Sequence, residues 1–135
     1  MREHAVTLIE RYYTAFNAGD METFLGLLTD DVAHDLNQGR RECGKAAFGA
    51  FMQHMIRCYR EQLADLVVMA SDDGCRAAAE FTVLGTYLAT DEGLPPASAQ
   101  TYRLPAGAFF EIREGKIARI SNYYNLPDWI TQVGG

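Results

Sequence analysis

Apolar residues recur along the chain with two different periods, and the change of period separates predicted helices from predicted strands. A first helical repeat ends at Ala18-Gly19, and Asp20 is suited to cap a short second helix that closes at Asp30-Asp31. Gly44 opens a third helix. The apolar faces of the three helices comprise Ala5, Leu8, Ile9, Tyr12, Tyr13 and Phe16, then Met21, Phe24, Leu25 and Leu28, and then Phe48, Phe51, Met52, Met55 and Tyr59.

Strands are predicted where the apolar period falls to two residues or where β-branched and aromatic residues cluster. Residues 37–41 have turn chemistry, and Gly85 would allow a bend or bulge in a long strand. Glu114-Gly115 is a two-residue turn signal between two runs rich in Phe, Ile and Tyr, which predicts an antiparallel hairpin. The predicted strands are 32–36, 63–70, 75–89 and the two arms of this hairpin, 108–113 and 116–124.

The C-terminal segment and the long loop complete the predicted order of elements. Asn125 is placed to begin a terminal helix that carries Trp129, and the loop from Thr90 to Thr101 is long enough to be functional or to lie at an interface. The order α-α-β-α-β-β-β-β-α predicts one α+β domain over residues 1–135, in which helices cover one face of a curved antiparallel sheet.

Composition and charge narrow the class of protein. The chain of 135 residues is 48% hydrophobic and 22% charged, which is typical of a globular domain, and it carries a net charge of -6. That charge argues against nucleic acid or an anionic membrane as the main partner. Cys43, Cys58 and Cys75 are odd in number and widely spaced, so we expect reduced thiols in a cytoplasmic protein. The sequence predicts no membrane span and no signal peptide.

Six short motifs occur along the chain: residues 11–20 (RYYTAFNAGD), 29–32 (TDDV), 85–87 (GTY), 94–96 (LPP), 115–117 (GKI) and 122–125 (NYYN). In this order and spacing they resemble the SnoaL-like polyketide cyclases and ketosteroid isomerases of the nuclear transport factor 2-like superfamily. The resemblance covers nearly all of the chain and implies a cone-shaped α+β barrel, in which a mixed, mainly antiparallel sheet wraps around helices and encloses a cavity. It also implies a homodimer formed through the outer face of the sheet.

The chemistry implied by this resemblance is abstraction of a proton next to a carbonyl, which needs a base and a hydrogen-bond donor at the developing enolate oxygen. Ketosteroid isomerase is itself a standard example of an enzyme that adjusts the pKa values of its site residues for this reaction. Tyr12 matches the position of the family's oxyanion Tyr, although a buried Tyr is also an ordinary core residue. In the cyclases the acidic base falls at Asn122, which can donate a hydrogen bond but cannot abstract a proton at neutral pH.

Three residues are alternatives for the base. Alignment on Asp30-Asp31 puts the isomerase's catalytic Asp at Leu36, so Asp35 lies one residue short and on the opposite face of a strand unless a bulge redirects it. His34 has the better parity and a suitable pKa, but it could equally be a buried, hydrogen-bonded His. Glu80 faces outward by alternation and would face inward only if a bulge at Gly85 reversed it.

The sequence therefore supports two hypotheses. One is a cofactor-independent isomerase or cyclase that binds a small hydrophobic carbonyl compound, with His34 or Asp35 as base and Tyr12 and Asn122 as donors. The other is a noncatalytic binding domain of the same fold, because the expected cavity is richer in neutral donors than in bases. No two His residues have metal-ligand spacing, so we expect no metal and no cofactor. The expected ligand-binding residues are Tyr13, Phe16, Phe51, Met55, Tyr87, Tyr102, Tyr124 and Trp129.

Overall fold

A computed structural model describes residues 1–37 and 39–134 of the chain. It contains four helices and six strands in these described residues. The helices are α1 (Arg2–Ala18), α2 (Met21–Gly26), α3 (Lys45–Cys58) and α4 (Leu126–Gly134), and the strands are β1 (Leu28–Asp35), β2 (Arg41–Cys43), β3 (Tyr59–Ala70), β4 (Arg76–Tyr87), β5 (Thr101–Arg113) and β6 (Lys116–Tyr124). The predicted α+β class is confirmed.

The six strands form one curved, mixed sheet in the order β2-β1-β6-β5-β4-β3. Strand β1 runs parallel to β6, and every other neighbouring pair is antiparallel. The parallel pair joins the N-terminal half of the chain to the C-terminal hairpin, so elements far apart in sequence meet at the middle of the sheet. The predicted turn of this hairpin is confirmed, because Glu114 and Gly115 both have positive φ angles, of 52° and 76°.

Short polar signals set the helix ends as the sequence predicts. Gly19 ends α1 in the left-handed conformation, with φ of 71°. The Asp20 carboxylate accepts a hydrogen bond from the Thr23 backbone N–H at 3.2 Å, and Asn125 accepts one from the Asp128 N–H at 3.1 Å. Local chemistry therefore sets the end of α1 and the starts of α2 and α4.

Some predicted boundaries were wrong. Strand β1 starts at Leu28, and β3 starts at Tyr59, immediately after α3. Arg41 opens the short strand β2, although its segment was predicted as a turn. No bulge lies at Gly85, because β4 keeps an unbroken register with both neighbours there; the irregularity in this part of the sheet falls in β3, between Ala64 and Val67. Tertiary pairing, which local sequence does not reveal, decided each of these boundaries.

The helices pack on one face of the sheet and bury two groups of apolar side chains. The larger group joins α1, α2 and α3 to the middle of the sheet, and its aromatic members pack closely, with the Tyr12 ring stacked on Phe24 at 4.3 Å between centroids. The smaller group surrounds Trp129 of α4. None of the helices in the described ranges 1–37 and 39–134 has the length and hydropathy of a transmembrane segment.

Candidate functional site

A cavity of about 1050 Å³ lies between the helices and the inner face of the sheet. Most of its wall is apolar, so it is suited to a hydrophobic ligand of drug-like size. The cavity is lined by nine predicted site residues: Tyr12, Tyr13, Phe16, His34, Phe51, Met55, Asn122, Tyr124 and Trp129. Three predicted site residues, Asp35, Tyr87 and Tyr102, lie outside this lining.

His34 and Asn122 form one polar spot in the wall. The Asn122 side-chain nitrogen lies 3.1 Å from His34 Nε2. Since an amide NH2 can only donate, Nε2 accepts this bond and the proton of the neutral ring lies on Nδ1. Asn122 thus finds a polar partner in an otherwise apolar part of the wall.

The surroundings of His34 weigh against its being a base. The ring is 2% exposed, is stacked on Phe48 at 4.4 Å, and has its Nδ1 buried without a partner in the described residues. Burial lowers the pKa of His34, and the nearby carboxylates of Glu42 and Asp35 oppose this shift only partly. The imidazole is neutral at pH 7, but its one lone pair is already used by Asn122.

Asp35 lies on the opposite face of β1, as strand alternation predicts. Its carboxylate is held by Arg41 at 2.6 and 3.0 Å and accepts a hydrogen bond from the Ser121 hydroxyl at 2.6 Å. The Arg41 guanidinium lowers the pKa of Asp35 to about 2, in spite of partial burial. No bulge turns Asp35 toward the cavity, as a catalytic role would require. Asp35 is therefore a structural ion-pair partner.

Glu61 is the carboxyl group that sequence analysis missed. It lies on β3, lines the cavity, and accepts a hydrogen bond from the Tyr102 hydroxyl at 2.5 Å. Burial raises the pKa of Glu61, and the Tyr102 hydrogen bond opposes this rise. The alternation of Tyr59, Glu61 and Leu63 was the available signal, but the predicted strand began at Leu63, so Glu61 was never assigned to a face.

Gly85 makes the Glu61–Tyr102 contact possible. Glu61 on β3, Gly85 on β4 and Tyr102 on β5 are paired in one row across the sheet. A Cβ atom at Gly85 would lie 2.2 Å from Tyr102 Cζ, so the phenol ring occupies the space that a side chain would fill. Tyr102 thereby reaches over an entire strand to Glu61, and its role is to hold that carboxyl group.

A second polar cluster borders the same cavity at the loop after β4. Asp91 accepts hydrogen bonds from the Tyr59 hydroxyl and from His54 Nε2, both at 2.7 Å, and its backbone N–H donates to the Tyr87 hydroxyl at 2.9 Å. Burial favours a higher pKa for Asp91, but these hydrogen bonds outweigh burial and lower it. Tyr87 also donates to the Pro95 carbonyl oxygen at 2.7 Å, so its hydroxyl orders the loop.

The Tyr124 phenol is carried by β6, the strand that also holds Asn122. Burial raises the pKa of Tyr124, and the negative charges of Glu61 and Asp91 raise it further. Within the described residues this hydroxyl makes no hydrogen bond of its own, and the side chain lines the cavity. Tyr124 is therefore a neutral donor that remains available to a ligand.

Comparison with protein families identifies the fold. The profile of the SnoaL-like domain matches residues 9–120. The chain belongs to the SnoaL-like domain family. No match is found among curated proteins. The match to the SnoaL-like domain profile confirms the resemblance drawn from the sequence motifs.

Solved structures of similar proteins match most of this chain. A "putative polyketide cyclase" from Pseudomonas putida is 67% identical, with a TM-score of 0.94 over 96% of this chain and 97% of that chain. A protein with the same description from Xanthomonas campestris is 57% identical, with a TM-score of 0.94 over 97% of both chains. A "putative ketosteroid isomerase" from Kribbella flavida is 24% identical, with a TM-score of 0.67 over 92% of this chain and 79% of that chain, and shows the shared fold alone.

Proposed function

We propose that this protein is a cofactor-independent isomerase or cyclase that removes a proton α to the carbonyl group of a small hydrophobic compound. The observation that carries the proposal is Glu61, a carboxyl group at the wall of an apolar cavity with a raised pKa and a fixed hydrogen-bond partner. Such a group has the properties of a general base. The descriptions of the two most similar structures cited above support the same class of reaction.

In the proposed reaction Glu61 takes the proton from the carbon atom next to the carbonyl group. The electron pair of the broken C–H bond moves toward the carbonyl oxygen, and the free Tyr124 hydroxyl donates a hydrogen bond to the resulting enolate. In an isomerisation the protonated Glu61 returns the proton to another carbon atom. In a cyclisation the enolate carbon attacks a second carbonyl group of the same molecule, and the protonated Glu61 returns its proton to the oxygen atom of that group.

Tyr12 and Asn122 remain proposed donors in this scheme. Asn122 uses one N–H toward His34 and keeps a second N–H and its oxygen for a polar group of the ligand. The Tyr12 pKa is raised well above its ordinary value, mainly by burial, so its hydroxyl stays protonated and can donate. His34 acts as the positioning residue that fixes Asn122, and Asp35 has no part in the chemistry.

The proposal is tested by deuterium exchange at carbon atoms α to a carbonyl, across steroidal, cyclic and diketone compounds. We expect Glu61→Gln to reduce exchange by about 100- to 10,000-fold, which is the range for loss of a general base. Tyr124→Phe should reduce exchange by about 100- to 1,000-fold, which is the range for loss of one hydrogen-bond donor to the oxyanion. Glu80→Gln is the matched control, because Glu80 lies on β4 with its side chain exposed.

Three outcomes separate the alternatives. Exchange that survives in Glu61→Gln but is lost in His34→Ala would transfer the role of base to His34. Equal loss in Glu61→Gln and Glu80→Gln would point to a general loss of structure. Binding of ligands to the wild-type protein without any exchange would establish the alternative function, a noncatalytic small-molecule-binding domain.

We further propose that two copies associate through the outer face of the sheet in the cytoplasm. This face exposes Val67, Met69, Leu84, Phe109 and Tyr123, of which Phe109 and Tyr123 form an edge-to-face pair at 5.7 Å. A monomer that leaves such a group in water gains by covering it. Sedimentation at increasing concentration should show a dimer that is lost in Phe109→Lys. All three cysteines are free thiols, as suits a reducing compartment.

A further inference from the structure

The end of α3 and the loop after β4 bring three potential metal ligands together beside the cavity. His54 and Cys58 are four residues apart on one face of α3, and Asp91 approaches from the loop. One ligand atom from each residue lies within 4.8 Å of the other two. The sequence did not predict this site, because its third member is 33 residues beyond Cys58 and carries no motif.

The three side chains converge on a single point. His54 Nε2 lies 2.7 Å from Asp91 Oδ1 and 4.0 Å from Cys58 Sγ, so the same ring nitrogen faces both other groups. In a catalytic relay a His would use different nitrogens for the acid and the thiol. Tetrahedral zinc with bonds of 2.0 to 2.3 Å needs ligand atoms about 3.3 to 3.7 Å apart. Shifts of about 1 Å would reach that geometry.

Two further hydrogen bonds hold Asp91 in position to bind a metal ion. The Tyr59 hydroxyl donates to Oδ2 at 2.7 Å and leaves Oδ1 directed toward α3. The Asp91 N–H is fixed by Tyr87. Oriented ligands of this kind are a general property of metal sites. The side chains of His54 and Asp91 also line the cavity, which leaves a fourth position open to a water molecule or a ligand.

We propose that His54, Cys58 and Asp91 form a binding site for one zinc ion at the cavity wall. The combination of imidazole, thiolate and carboxylate is one that Zn²⁺ accepts, whereas Mg²⁺ and Ca²⁺ require oxygen ligands. Two anionic ligands balance the charge of the ion. Binding releases the Cys58 thiol proton to solvent and shifts the single proton of the neutral His54 ring from Nε2 to Nδ1.

The contact between Arg57 and His54 disfavours the tautomer of His54 that binds zinc through Nε2. The Arg57 Nη2 atom lies 3.0 Å from His54 Nδ1, and since a guanidinium can only donate, Nδ1 is now an acceptor and Nε2 carries the proton. Zinc on Nε2 requires the proton on Nδ1, where Arg57 opposes it. Arg57→Gln offers an amide oxygen as acceptor and removes a positive charge, so it should tighten metal binding.

The test is a titration of the chelator-treated protein with Co²⁺, followed by competition with Zn²⁺. We expect one Co²⁺ per chain, with visible bands of four-coordinate cobalt and a thiolate-to-cobalt charge-transfer band. Cys58→Ser should abolish the charge-transfer band, whereas the double variant Cys43→Ser/Cys75→Ser should keep it. Tyr59→Phe, which removes only a hydrogen bond to Asp91, should weaken binding about 10- to 100-fold.

Other results would overturn the site. They are the absence of saturable binding, a charge-transfer band that survives Cys58→Ser, or loss of the band in the variant of the two exposed cysteines. Because Cys58 is buried, its variant could fail to fold. Asp91→Asn, at a loop residue, gives an independent measure and should weaken binding more than Tyr59→Phe does. None of these readouts depends on enzyme activity, so their failure leaves the proposed function intact.

Discussion

The Tyr102 hydroxyl donates to the Glu61 carboxyl group at 2.5 Å across an intervening strand, in the space left by the missing side chain of Gly85. The two residues are 41 positions apart in sequence and are brought together by the continuous registers of β3 with β4 and of β4 with β5. This row across the sheet couples the stability of the strands to the properties of the proposed base.

Gly85→Ala is expected to disrupt this row. The new methyl group would overlap the Tyr102 ring, and such overpacking typically costs about 1–3 kcal/mol. Urea unfolding should show the loss of stability, and α-proton exchange should fall with it. The control is Gly26→Ala in α2, where the added methyl group meets nothing within 4 Å. Equal stability of the two variants would contradict the steric role of Gly85.

Tyr102→Phe is expected to change the pH dependence of the reaction. Glu61 must be ionised to accept a proton, so the rate should rise as pH increases through its pKa, which burial has raised. The Tyr102 hydrogen bond stabilises the carboxylate, and its removal raises that pKa further. The acidic limb of the kcat/KM profile should therefore move to higher pH. An unchanged limb, with activity retained, would show that Glu61 does not control it.

Arg41→Gln is expected to lower stability at neutral pH through Asp35. The Asp35 pKa is about 2 in the folded protein and 3.8 for an ordinary Asp, so the carboxylate stabilises the fold above pH 4. This contribution is lost as pH falls from about 4 to about 2. After allowance for solvent screening we expect a cost of about 1 kcal/mol at pH 7.

The stability difference between wild type and Arg41→Gln should thus shrink on acidification. Urea unfolding at several pH values measures it. Arg40→Gln is a matched control, because Arg40 forms an exposed pair with Glu42 and does not contact Asp35. If the loss of stability in Arg41→Gln stayed constant from pH 7 to the acid range, that loss would not arise from the ion pair with Asp35.

Asn17→Ala is expected to loosen the connection between α1 and β3. The Asn17 amide donates to the Leu63 carbonyl oxygen at 3.0 Å and accepts from the Leu63 N–H at 2.9 Å. Loss of both bonds should cost about 1–3 kcal/mol and should speed amide hydrogen exchange at Leu63. Gln62→Ala removes one exposed bond to the Asn17 carbonyl oxygen and should change stability by less than about 0.5 kcal/mol.

Local chemistry explains which parts of this structure could be predicted. The helix ends at Gly19 and Asp20, the hairpin turn at Gly115 and the outward face of Asp35 follow from residues close in sequence. Strand β2 could not be found in this way, because three residues form a strand there only by pairing with β1.

The polar groups of the cavity were harder to predict than its apolar wall. Tyr13, Phe16, Phe51 and Met55 line the cavity as expected from helical spacing. Glu61 acquires its environment from Tyr102 and Asp91 acquires its environment from Tyr59 and His54, all through contacts over 32 to 41 residues. The local sequence pattern does not reveal such long-range contacts. Even a correct prediction of the strand would have placed Glu61 on one face of the sheet without identifying its partner.

The two hydrogen bonds from Asn17 to Leu63 also have a consequence for assembly. Strand β3 is the last strand on its side of the sheet, and its exposed backbone could otherwise recruit a strand from a neighbouring molecule. The Asn17 amide imitates a strand at Leu63 and occupies the backbone groups that such a neighbour would need. The end of α1 thus acts as a guard against edge-to-edge aggregation, and a variant that loses Asn17 should be prone to it as well as less stable.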